Sequence, residues 1–162
     1  MSHNRFDRFL DRAEQLLARV EPLLPPASPE PDWEASTAFR WCQRLGSGFL
    51  EPVPAPQPVA LTSLRNVDRQ KTQLARNTRQ FLAGLPANNA LLWGTRGTGK
   101  SSLIKALLHA YSDHGLRLVE VDKSHLVDLP AVADVLRQRP ERFIVFCDDL
   151  SFEADDPGYK AL

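Results

Sequence analysis

Sulfur is scarce in this sequence: 162 residues contain two cysteines and one methionine. Cys42 and Cys147 have no neighbouring cysteine or histidine at metal-ligand spacing, which excludes a disulfide framework and a metal knuckle and makes reduced thiols the expected state. An excess of charge is also missing, since 20 basic and 20 acidic side chains cancel. That balance excludes a wholly basic nucleic-acid coat, a polyacidic tail and a disordered polyelectrolyte. No apolar run approaches the ~20 residues of a membrane-spanning helix. The opening residues, Met1 to Asp7, lack the basic-then-apolar pattern of a secretory signal, so a cytoplasmic location is expected. His3, His109, His114 and His125 show no metal-ligand spacing with a partner.

What is present divides into two regimes. Nine of the 13 prolines fall between Pro22 and Pro58. Phe6, Phe9, Leu10, Ala13, Leu16, Leu17 and Val20 recur at three- and four-residue steps and predict a helix over 6–20, with Asn4 or Ser2 able to cap it. Pro22 stops that helix, and Pro25, Pro26, Pro29 and Pro31 keep the next stretch extended. A second short helix is predicted over 33–45, with Trp33, Ala38, Trp41, Cys42 and Leu45 on one face and Gly46 and Gly48 as its stop. Residues 51–58 alternate proline with other residues and read as a semi-rigid spacer. The expected organisation is therefore a helical, proline-rich N-terminal extension with linker over 1–60 and a structured domain over 61–162.

A helix is predicted over 65–82, with Val67, Leu74, Phe81 and Leu82 inward and Gly84 and Pro86 ending it. It is basic: Arg65, Arg69, Lys71, Arg76 and Arg79 oppose only Asp68. A nucleic-acid face is conceivable there, but a solvated or partner-facing helix surface is the preferred reading. Three apolar runs follow, 90–93, 116–121 and 143–147, and read as buried parallel strands. Between them, Leu103, Leu107, Ala110 and Tyr111 mark one helix, and Val132, Val135 and Leu136 mark another with Asp128 as its cap and Pro130 in its first turn.

The chemistry sits in two places. Gly94-Thr95-Arg96-Gly97-Thr98-Gly99-Lys100-Ser101, followed by Ser102, has the glycine spacing of a phosphate-binding loop between a strand and a helix. Glycines let successive backbone N–H groups turn inward around a polyphosphate, and the helix N-terminus adds its positive dipole end. Lys100 is placed to reach the β- and γ-phosphates and the Ser101 hydroxyl to ligate Mg²⁺. The second place is the end of the run 143–147, which delivers Asp148 and Asp149. Asp148 is the expected second metal-holding residue, and Asp149 is expected to polarise the attacking water. Asp155-Asp156-Pro157-Gly158 spells the D-x-x-G of GTPases but reads more simply as a turn.

On these motifs the chain from Leu61 to Leu162 resembles an AAA+ ATPase. Asn88 to Gly94, Arg96 to Leu103 and Phe146 to Glu153 are similar to an uncharacterised bacterial group of that superfamily, classed as a domain of unknown function. The resemblance implies an α/β fold of P-loop NTPase (AAA+) type, a parallel sheet with flanking helices. It also implies ATP and Mg²⁺ as ligands, an adenine site near Leu64 to Asp68 and a homo-oligomer. Asp148-Asp149 departs from the usual Asp-Glu at that strand end. The chain ends 13 residues after Asp149, before the strand that in AAA+ sheets inserts beside 90–93, so the domain is expected to be incomplete at its C-terminus and 90–93 to lack a central neighbour. The expected function is Mg²⁺-dependent ATP hydrolysis acting on a protein or nucleoprotein partner. The alternatives are a nucleotide-gated interaction module recruiting a protein through its N-terminal helices, and a P-loop kinase.

Overall fold

The computed structural model describes residues 3–20, 30–54 and 58–150. The prolines from Pro22 to Pro29, part of the 51–58 spacer, and the segment from Ser151 onward with its Asp155 to Gly158 turn lie outside the described residues.

The protein is an α/β structure with a four-stranded, mostly parallel sheet. The helix α1 occupies His3–Val20, the strands β1 and β2 occupy Ala38–Arg44 and Ser47–Pro52, and the helices α2 and α3 occupy Asp68–Leu82 and Lys100–Tyr111. β3 is Leu116–Glu120, α4 is Leu129–Leu136 and β4 is Arg142–Phe146. Strand order is β2-β1-β3-β4. β1 pairs antiparallel with β2 and parallel with β3, and β3 pairs parallel with β4.

Residues 38–52 overturn the predicted helix over 33–45. Phe39 and Trp41 are buried while the intervening Arg40 is exposed, the period-2 pattern of a strand. Arg44 pairs with Ser47 across a two-residue turn in which Leu45 (φ 50°) and Gly46 (φ 83°) are both left-handed. Two positive φ values define the hairpin turn whose twist matches that of the flanking strands. Gly46 is thus a hairpin residue rather than a helix stop. Gly48 serves close packing, because a Cβ there would lie 2.0 Å from the Trp41 ring. The hairpin is bonded into the sheet, Ala38 to Arg40 aligning with Leu118 to Glu120, so part of the stretch assigned to the N-terminal extension belongs to the sheet.

Two layers cover the sheet. On one face α2 and α3 supply Leu74, Ile104, Leu107 and Leu108, which pack on Ala38, Leu116 and Leu118. On the other, Val132 and Leu136 of α4, with Leu126, pack on Phe39, Trp41, Leu50 and Val119. Adjacent strand residues such as Leu118 and Val119 go to opposite layers because side chains alternate across a strand. Asp128 does not cap α4 with its side chain. Its Oδ2 instead accepts from Trp41 Nε1 (3.0 Å) and Gln43 Nε2 (2.7 Å), tying the hairpin to the layer above it. Val135 is exposed, so Val132 and Leu136 alone of the three predicted valine and leucine positions face the core.

Of the three predicted strands, the runs at 116–121 and 143–147 form β3 and β4. The run 90–93 does not form a strand and is not buried as predicted. Leu92 packs against the α2–α3 layer, but Leu91 and Trp93 are 77% and 87% exposed. The reason is a matter of partners: β3 is bonded on both edges, by β1 and β4, and 90–93 pairs with neither of the sheet's outer strands, β2 and β4. No helix among the described residues is long and apolar enough to cross a membrane.

Candidate functional site

The site is assembled where the loop 94–99 enters α3 and where β4 ends. Strand ends at the carboxyl edge of an open α/β sheet are where such folds place ligand-binding groups. The loop needs glycine for its shape: Gly94, Gly97 and Gly99 have φ of 141°, 84° and 86°. Gly99 is also the residue preceding α3, and its carbonyl accepts from Leu103 N at 2.9 Å to begin the helix. Lys100 and Ser101 are therefore the first two helical residues, with the free N–H groups of the helix start beside them.

Within the loop, Lys100 Nζ donates to the carbonyls of Gly94 (3.0 Å) and Thr95 (2.9 Å), and Thr98 Oγ1 donates to Thr95 O (2.9 Å). Among the described residues the ammonium is thus held by backbone carbonyls alone, across the mouth of the turn. Between the two motifs, Ser101 Oγ donates to Asp148 Oδ2 at 2.5 Å, joining residues 47 apart in sequence. Asp148 Oδ1 accepts from the N–H of Asp149 at 3.0 Å. Asp149 has a left-handed backbone (φ 49°) and an exposed side chain, a conformation that among non-glycine residues asparagine and aspartate tolerate best.

The structure therefore brings together Ser101 and Asp148, and places Lys100 with Gly94, Thr95 and Thr98. Arg96 is exposed and Ser102 half-buried; among the described residues neither makes a side-chain hydrogen bond or ion pair. The Leu64 to Asp68 segment follows a single turn at Leu61–Ser63, of which Leu61 packs with Ile104 and Leu107 of α3. Lys71 Nζ fixes it by donating to Leu64 O (2.8 Å).

One positioning pair was not foreseen. Asn77 of α2 both donates to Asn88 O (2.7 Å) and accepts from Asn88 N (3.0 Å), anchoring the backbone six residues before Gly94. An asparagine in a helix interior is a poor helix former unless its amide has such work, and this was the available signal.

Cys147, beside the acidic pair, has its thiol pushed up to about 11, by burial first and then by Asp122, Asp148 and Glu120. It is a poor nucleophile in this setting. Among the described residues no group of three or more His, Cys, Asp or Glu side chains gathers to enclose a metal ion. The Ser101 and Asp148 oxygens are instead a partial, hard-donor set. Mg²⁺ suits such a set because it keeps water and phosphate oxygens among its ligands.

Comparison with the curated proteins and with the solved structures gives no match. Residues 34–162, which take in the hairpin as well as the loop and the acidic strand end, match the family described as "Protein of unknown function (DUF815)", and the chain belongs to that family.

Proposed function

We propose that the chain is an AAA+ type ATPase that binds ATP with Mg²⁺ and hydrolyses the β–γ bond by in-line attack of water. The observation that carries this reading is the 2.5 Å contact between Ser101 Oγ and Asp148 Oδ2. It joins the end of a glycine loop to the end of an acidic strand, the juxtaposition needed to hold a cation beside a polyphosphate.

In this reading the loop amides and the α3 N-terminus bind phosphate oxygens. Lys100 exchanges the carbonyls of Gly94 and Thr95 for the β- and γ-phosphates, stabilising charge that builds on the transferred group. Mg²⁺, held by Ser101 and Asp148, would neutralise the phosphate oxygens. Asp149 is the residue to orient water, since its carboxylate makes no hydrogen bond among the described residues and stands next to Asp148. Asparagine at this position keeps the shape but removes the charge that draws a proton from water.

Equilibrium titration with ATP and Mg²⁺ tests the site. Lys100→Ala is expected to weaken binding by at least about tenfold, the equivalent of ~1.4 kcal/mol. Equal affinities for wild type and variant would sink the proposal. Asp149→Asn is expected to keep binding and lose turnover.

A second reading, a nucleotide-gated interaction module, is favoured by α1. Phe6, Phe9, Leu16 and Leu17 are between 56% and 68% exposed along one stripe, a face of the kind that marks interaction sites. Nucleotide-dependent association without turnover would select the module; turnover lost in Asp149→Asn would select the enzyme.

A further inference from the structure

Helix α2 divides sharply into an inner and an outer face. Thr78 is its buried residue, flanked by Lys71, Leu74, Ala75 and Leu82, all at least half-buried. At about 100° per residue, Arg69, Gln73, Arg76 and Gln80 project within about 40° of the direction opposite Thr78, with Thr72 and Arg79 on its shoulder. No acidic and no apolar residue lies in that arc. Arg69, Arg76 and Arg79 are exposed, and among the described residues their side chains make no hydrogen bond or ion pair. The inward cation is different: Lys71 is engaged by Asp68 (2.6 Å) and Leu64 O (2.8 Å).

Such a face fits one kind of partner better than others. A protein interface needs aromatic or aliphatic anchors at its centre, and this arc has none. A membrane surface needs the helix's apolar face at the acyl boundary, but Leu74, Ala75 and Leu82 are packed against α3 and the sheet. A nucleic-acid backbone needs only what is there. Guanidinium groups pair bidentately with phosphate, and Thr and Gln side chains add neutral hydrogen bonds to it. From Arg69 to Arg79 the helix rises about 15 Å, enough to meet several phosphates, whose charges recur every ~3.4 Å along one strand.

We propose that the outer face of α2, through Arg69, Arg76 and Arg79, binds the phosphate backbone of a nucleic acid without reading its sequence. The inference is independent of whether the loop 94–99 turns over ATP.

Fluorescence anisotropy of a labelled mixed-sequence 20-base-pair DNA duplex with the full chain tests it across a salt series. Three phosphate contacts predict a slope of log affinity on log salt of about −3. The triple variant R69Q/R76Q/R79Q is expected to lose at least about tenfold in affinity at low salt and most of that slope, while R69K/R76K/R79K keeps both. Arg137→Gln, which removes an exposed cation paired with Asp134, is expected to change neither. Circular dichroism checks folding, and Arg76→Glu alone gives the same reading if the triple variant is unfolded. The proposal is overturned if the triple Gln variant binds like wild type, if Arg137→Gln falls as far, or if polyglutamate of matched charge displaces the duplex as well as unlabelled duplex does.

Discussion

Trp41 and Trp93 both lie in short segments with other apolar residues, Phe39 and Cys42 for one and Leu91 and Leu92 for the other, yet one is 3% exposed and the other 87%. The difference lies in the backbone. β1 acquires β2 through a two-residue turn, a partner whose loop closure costs little entropy, and with that edge paired it docks on β3. The run 90–93 has no local partner, and β3 is already bonded on both sides. Hydrophobic composition states what a segment gains by burial, but backbone hydrogen bonding decides where burial is allowed, because an unpaired buried N–H or C=O is costly. The two regions are also joined differently to the rest: the hairpin by core packing and a polar clamp, the loop segment by Leu92 and the Asn77–Asn88 pair.

The sharpest way to break this comparison is to truncate an aromatic on each side of it. Phe39 is fully buried between β3 and α4, so Phe39→Ala should cost about 3–5 kcal/mol in urea unfolding, transfer and cavity together. Trp93→Ala should stay within about 0.5 kcal/mol, as for a surface change. Similar losses at the two positions would show that 90–93 is part of the cooperative core.

A smaller effect isolates the polar half of the hairpin's attachment. Asp128 Oδ2 accepts from both Trp41 Nε1 and Gln43 Nε2, and His125 Nδ1 lies 3.4 Å from it. Asp128→Ala leaves a buried indole N–H without its acceptor and should cost about 1–3 kcal/mol. Asp128→Asn retains an acceptor oxygen and should cost less. If the alanine variant is as stable as wild type, packing alone holds the hairpin.

What could be read in advance follows the same division. α1 and α3 were legible from their three- and four-residue apolar steps, β3 and β4 from their apolar runs, and the turn before α3 from its glycines, three of which take positive φ. The hairpin was not, since Ala38, Trp41, Cys42 and Leu45 fall on helical steps while Phe39 and Trp41 fall on strand steps. Its turn is also disguised: Leu45 at φ 50° stands where asparagine or aspartate would announce a hairpin. In the site, Ser101 and Asp148 were named from motif alone, and the structure brings their side chains into a hydrogen bond. The Lys100 bonds to Gly94 and Thr95 carbonyls, and the Asp128 clamp across 87 residues to Trp41, depend on tertiary placement that no local pattern encodes.

Cys147 decides which side of the comparison the end of β4 belongs to. β4 is an edge strand among the described residues, like 90–93 in lacking an outer partner, yet Cys147 packs with Phe39, Val121 and their neighbours. Burial, reinforced by the carboxylates of Asp122, Asp148 and Glu120, raises its thiol to about 11. A folded value above the unfolded one means that the fold favours the protonated thiol. The associated stability is complete below the unfolded value and is lost as pH rises through the window up to about 11. In a Cys42→Ser background, which removes the other thiol, iodoacetamide at pH 9 should therefore modify folded Cys147 at least about tenfold more slowly than the urea-unfolded chain, because the thiolate is the reacting form. Equal rates would place the end of β4 with the open segment 90–93, and would mean that Asp148 reaches Ser101 from a strand end that is itself loosely held.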